Sequence, residues 1–283
     1  TKVRGRKDLE NLSIPFIGEI PQYLSAKKKL GFDKHTQSVM KAIVVKEGNR
    51  NIINEAFRVL RSNIDFMAGK DSGQNVFMLT SFNPGSGKSF LAMNIAMSFA
   101  IKKKRILVID GDLRHGSTSS YVDSPKTGLS DYLGNRVSDW KEIIVKDEKY
   151  DNLHIIPIGT VPPNPTELLE DGKLATLIEV LRSEYDYIFI DCPPIDIVAD
   201  AQIIEKLADR TVFVVRSGLL DRSMLPELEN IYQEKRFKNL SVILNGTESA
   251  GGRYGYRYGY RNGYSSYYGN KGKMGGGKWM VIK

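Results

Sequence analysis

The chain has 283 residues, 41% of them hydrophobic and 26% charged, with a formal net charge of +8. That length supports one large core, the charged fraction excludes a wholly disordered chain, and no apolar run of about 18 residues is present to span a membrane. A single cysteine, Cys192, excludes an intramolecular disulfide and a cysteine-based metal cluster, which fits a reducing compartment.

Residues 1–50 are mixed and basic, with Lys27, Lys28 and Lys29 in a run and few long apolar periods. They read as an N-terminal linker. Thr1 opens the chain with no secretory signal after it, so the sequence reads as part of something longer. Residues 51–68 read as a helix. Ala56, Phe57, Val59, Leu60, Ile64, Phe66 and Met67 fill about half of a helical wheel, and Glu55, Arg58, Arg61, Ser62 and Asp65 share the other arc. From Asn75 onward short apolar runs alternate with helical stretches. Strands are expected at 76–80, 105–110, 153–157, 187–191, 211–216 and 241–245, and helices at 89–102, 165–184, 200–207 and 226–235. Such alternation predicts an α/β fold over 51–250: a parallel sheet with right-handed crossovers, helices on both faces, and ligands at the carboxyl ends of the strands. Residues 251–283 differ, with ten Gly, seven of the fourteen Tyr, seven Lys and Arg, and no acid. They read as a flexible tail, because so little apolar surface cannot offset the entropy of ordering. Without them the body holds 34 basic against 33 acidic residues, so only the tail is a candidate polyelectrolyte binder.

The strand expected at 76–80 runs into Ser81-Phe82-Asn83-Pro84-Gly85-Ser86-Gly87-Lys88-Ser89 and then a helix. A strand, a Gly-rich turn ending in Gly-Lys-Ser and a helix make a phosphate cradle, in which backbone N–H groups and the helix dipole converge on an anion. Gly85, Ser86, Gly87, Lys88, Ser89 and Phe90 form the candidate nucleotide site. Lys88 would reach the β- and γ-phosphates, and the Ser89 hydroxyl would ligate Mg²⁺. The first glycine of the usual pattern is Phe82 here. Two further strand ends carry acids: Asp110 and Asp112 after Ile106-Leu107-Val108-Ile109, and Asp191 after Ile188-Phe189-Ile190. Ser89, Asp110 and Asp191 are the candidate oxygen ligands of a hard Mg²⁺, directly or through water. Taken singly, each aspartate equally suits a helix cap or a solvated turn.

These residues resemble the bacterial tyrosine kinases of polysaccharide export, with Walker A, A′ and B motifs, over roughly residues 10–268. The stretch from Gly159 to Leu169, Gly-Thr-Val-Pro-Pro-Asn-Pro-Thr-Glu-Leu-Leu, is similar to a segment of that family. Glu55-Ala56-Phe57-Arg58-Val59-Leu60-Arg61 matches its E-x-x-R-x-x-R oligomerisation motif, and the stretch from Leu9 to Pro21 resembles the segment joining kinase to membrane-anchored co-polymerase. The resemblance implies a P-loop fold, ATP and Mg²⁺ as cofactors, catalysis by Lys88, Asp110 and Asp112, and a metal role for Asp110 with Asp112 as its catalytic partner. It implies a homo-oligomeric ring through Glu55, Arg58 and Arg61, a cognate phosphatase, and a place on the cytoplasmic face of the cell membrane. It also implies autophosphorylation in trans at Tyr254, Tyr256, Tyr258, Tyr260, Tyr264, Tyr267 and Tyr268. On composition alone the same tail suits RNA binding or condensation; with the upstream motifs, nucleic acid is not the expected partner.

The family lies close to the partitioning ATPases, whose signature lysine is replaced here by Asn83; a nucleotide-switched ATPase without phosphotransfer to protein is the alternative function. Other features stay open at this level. Glu55 with Arg58 and Arg61 with Asp65 are also ordinary helical pairs. Asn245 resembles a purine-contacting asparagine but equally suits a turn. Residues 27–29 suit a solvated run or an anionic membrane surface. His35, His115 and His154 show no metal spacing, and Cys192 reads as a small packing residue.

Overall fold

The computed structural model describes residues 1–23, 42–69, 73–195 and 199–248. Residues 27–29, His35 and the seven C-terminal tyrosines lie outside the described residues. Among the described residues, eight strands form one sheet: β1 (Phe16–Pro21), β2 (Val76–Thr80), β3 (Ile106–Asp110), β4 (Val145–Lys146), β5 (Leu153–Ile156), β6 (Tyr187–Asp191), β7 (Arg210–Arg216) and β8 (Leu240–Thr247). Their spatial order is β1-β8-β7-β2-β6-β3-β5-β4. Neighbours are parallel except at the edge, where β4 runs antiparallel to β5. The six strands expected from the sequence are present to within two residues at each end.

The apolar runs are continuous because both faces of the sheet are covered. Phe77, Leu79, Val108, Phe189, Val212 and Val214 pack with α1 (Ile52–Ala68) and α2 (Lys88–Ala100). Their sequence neighbours Met78, Leu107, Ile109, Ile188, Ile190, Phe213 and Val215 point to the opposite face, as the period of two requires. There they meet α3 (Leu129–Leu133), α4 (Pro165–Glu170), α5 (Lys173–Glu184), α6 (Asp200–Glu205) and α7 (Leu225–Gln233). The helix expected over 165–184 is two helices. The chain breaks at Asp171–Gly172, where Gly172 takes a left-handed φ of +85° that helical backbone does not allow.

Part of the stretch expected to be a linker is built into the fold. β1 pairs with β8, Ile20 opposite Asn245, and buries Ile17 and Ile20. Ahead of it Val3 is fully buried and exchanges backbone bonds with Leu220 and Gly218. The signal was weak because β1 is short, contains Gly18 and ends in Pro21. At Gly18 a Cβ would lie 2.9 Å from Leu60 Cδ1, so α1 packs closely on the strand. Asn51 caps α1 by accepting from the Asn54 N–H at 2.9 Å.

Candidate nucleotide-binding site

The loop after β2 turns on two residues with positive φ, Gly85 (+74°) and Gly87 (+91°), and α2 begins at Lys88. The first N–H groups of a helix have no acceptor within it, so the start of α2 offers donors to an anion. Asn245, at the end of β8, holds the loop by donating from Nδ2 to the Ser86 carbonyl at 3.0 Å. That bond also explains Gly87, since a Cβ there would meet Asn245 Nδ2 at 2.2 Å.

The three strand tips converge. Asp110 and Asp191 are register partners on adjacent parallel strands and both are buried. Asp191 accepts from the Ser89 hydroxyl and, at 2.7 Å, from the Thr118 hydroxyl. Asp110 accepts from the Ser119 N–H at 2.7 Å and the Ser119 hydroxyl at 2.6 Å. Burial raises the pKa of both carboxyls. Asp191 also pushes Asp110 up, to about 8, against the Ser119 bonds. Lys88 and the two hydroxyls oppose the rise at Asp191. Lys88 donates from Nζ to Ser81 Oγ at 3.0 Å. Burial lowers its pKa, while the Asp191 and Asp112 carboxylates hold it up.

A cavity of about 450 Å³ opens over this group. Gly85, Gly87, Lys88, Ser89, Phe90, Asp112, Asp191 and Asn245 line it, so the structure brings these expected residues together. Ser86 joins through its carbonyl. Asp110 lies behind the wall, tied to Ser119 and, at 3.3 Å, to the Asp112 N–H. Asp112 accepts from the Arg114 and His115 N–H groups at 3.2 and 3.3 Å, and His115 Nδ1 lies 3.0 Å from its Oδ2. The sequence reading missed Thr118 and Ser119, which hold the two buried carboxylates, and Tyr23 and Arg216, which line the cavity. A run of hydroxyls and the residues just past β1 and at the end of β7 carry no motif that would have singled them out.

Mg²⁺ fits the donors present. The Ser89 hydroxyl and the Asp191 carboxylate, both hard oxygen donors, meet on the cavity wall beside Lys88. Among the described residues no group of three His, Cys, Asp or Glu side chains is arranged to hold a metal, so the remaining ligands would be phosphate and water.

Arg58 pairs with Glu55 and donates to the Asn49 carbonyl, and Arg61 donates to the Ser98 carbonyl of α2 at 3.0 Å. The three charges of the expected interface are thus engaged within one chain, Arg61 in joining α1 to α2.

A family model described as AAA domain matches residues 74–236. The chain is 32% identical over 210 residues to a putative tyrosine-protein kinase, CapB, of Staphylococcus aureus, covering 74% of this chain and 91% of that protein. It belongs to the bacterial tyrosine-protein kinases. This kinase domain also matches a putative tyrosine-protein kinase in the cps region of Klebsiella pneumoniae, 34% identical over 250 residues, which cover 86% of this chain but 33% of that longer protein. The kinase domain of Escherichia coli tyrosine kinase ETK superposes with a TM-score of 0.73 at 27% identity, covering 89% of this chain and 98% of that one. These relatives favour the tyrosine kinase over the positioning ATPase. No described helix of the kinase domain is long and apolar enough to cross a membrane.

Proposed function

We propose that this kinase domain transfers the γ-phosphoryl group of ATP to tyrosines 254, 256, 258, 260, 264, 267 and 268 of a neighbouring copy, and that this cycle regulates capsule or exopolysaccharide synthesis and export at the cytoplasmic face of the membrane. The observation that carries it is the convergence of Lys88, Ser89 and Asp191 on one cavity wall, with Asp112 on the same cavity. The loop N–H groups and Lys88 hold the phosphates and stabilise charge on the transferring group. Ser89 and Asp191 would hold Mg²⁺, which would supply neutralisation of phosphate charge. Asp110, behind the wall, accepts from the Asp112 N–H and so orients its backbone.

Asp112 orients the acceptor hydroxyl. A tyrosine hydroxyl is about 6 pKa units less acidic than an aspartic acid, so full deprotonation beforehand would cost roughly 8 kcal/mol. A loose transition state avoids that, because the proton leaves late, to Asp112, as the bond from phosphorus to the tyrosine oxygen forms and ADP departs. The tail suits the acceptor role because glycine spacing lets several tyrosines reach one site in turn. A ring of copies, a membrane-anchored co-polymerase segment and a phosphatase that resets the tail belong to the same reading, supported by the family membership.

The test is incubation of the protein with Mg-ATP, probed for phosphotyrosine, with and without residues 251–283. Phosphotyrosine that needs the tail and disappears in Lys88→Met is the expected result. A fully active Lys88→Met protein, or phosphate release with no phosphotyrosine, would overturn the proposal.

A further inference from the structure

Arg216 has no part in the mechanism above, yet it lines the same cavity. It ends β7, in register with Asn245 of β8. Its Nη1 donates to the Gly85 carbonyl at 3.2 Å, while Asn245 donates to the next carbonyl, that of Ser86. Two adjacent loop carbonyls are therefore held by two adjacent strand-end side chains. The Arg216 stem runs along Gly246, where a Cβ would lie 3.7 Å from both Cγ and Nε. The side chain is thus stretched from the tip of β8 to the phosphate loop. It is half-buried, and no carboxylate pairs with it among the described residues.

The order of the sheet gives this position a meaning. β6 and β3, which carry Asp191 and Asp110, flank β2 on one side, and β7 and β8 flank it on the other. A nucleotide whose phosphates occupy the loop and the acidic side must direct its nucleoside toward β7 and β8, where Arg216 and Asn245 stand. A guanidinium anchored by a neutral carbonyl keeps both its charge and an open planar face, and planar cations stack on aromatic rings.

We infer that Arg216 stacks on the purine base and, through its bond to Gly85, joins base recognition to the phosphate loop. It is a specificity and positioning residue for the nucleotide, and the assignment rests on the nucleotide-site reading. Asn245 keeps a free Oδ1 acceptor and a second N–H for the edge of the same base, since an amide has two donors and its bond to Ser86 uses one.

The experiment compares two probes, Mg-ADP and Mg-tripolyphosphate, by direct titration of the full chain. Arg216→Gln removes the planar cation and, being two bonds shorter, also the bond to the Gly85 carbonyl, so comparing the two probes separates base contact from loop support. It is expected to weaken Mg-ADP about tenfold more than Mg-tripolyphosphate, with the ligand-free melting temperature unchanged. Arg216→Lys retains charge, stem and donor and is expected to lose less. Equal weakening of both probes would make Arg216 a phosphate cation or a loop support, and unchanged Mg-ADP affinity would give it no role; either overturns the inference. A wild-type chain that binds neither probe overturns the nucleotide site itself and the assignment with it.

Discussion

Gly87 shows how tightly single positions are set. A methyl group there would meet Asn245 Nδ2 and would force a left-handed φ on an ordinary residue. Gly87→Ala is expected to destabilise the fold by about 1–2 kcal/mol and to weaken Mg-ADP about tenfold or more, read by denaturant melts and by titration. Unchanged affinity would mean that the loop does not need this bend. The Asp110–Asp191 pair sets a pH dependence. Both carboxyls are pushed up in the folded protein, Asp110 to about 8, so the metal-free fold holds more protons than the unfolded chain between about pH 4 and 8. Unfolding free energy therefore falls as pH rises through that window. Melting temperature without metal should drop from about pH 5.5 to 8, and Asp110→Asn should flatten the slope; a native profile that is already flat contradicts the raised pKa values. Lys88 was legible because it closes a Gly-rich turn between a strand and a helix, and Asp191 because it stands where an apolar run ends. Thr118 and Arg216 were not, because their partners Asp191 and Gly85 lie far from them in sequence, and Ser119, nine residues from Asp110, belongs to a run of hydroxyls with no motif.

At the scale of elements, the strands flanking β2 announced themselves because burial on both faces leaves unbroken apolar runs. β1 did not, since its six residues include a glycine and a proline. β4 has two residues, too few for any pattern. The break between α4 and α5 hung on one glycine within an otherwise helical stretch. β1 matters beyond its length, because Pro21, Gln22 and Tyr23 at its carboxyl end line the cavity. Deleting residues 1–23 is expected to lower the melting temperature, to expose the edge of β8 and to weaken Mg-ADP. Native affinity in that deletion would show that the wall is dispensable. On the same face Phe57 of α1 is buried and meets Phe90 edge-on at 6.0 Å. Phe57→Ala should cost about 3–5 kcal/mol in denaturant unfolding, and a loss below 1 kcal/mol would mean that α1 is not part of the core.

For the whole molecule the proposal turns on charge. The tail begins at +7, and seven phosphotyrosines would add roughly −10 to −14, reversing its sign. An unmodified tail that docks on a neighbour would then be released, so light scattering should report a larger species after phosphatase treatment than before. Arg58→Glu, which breaks the Glu55 pair, should shrink the larger species; equal mass in all three samples would count against the ring. The two neighbouring acids under the cavity have a final consequence. Asp110, pushed up to about 8 by burial and by its charged neighbour Asp191, keeps a proton at neutral pH in the metal-free fold, and a divalent cation settling beside the pair favours its release, so each loading event acidifies the medium. The heat of nucleotide binding should therefore differ between phosphate and Tris at the same pH, in proportion to the ionisation enthalpy of the buffer.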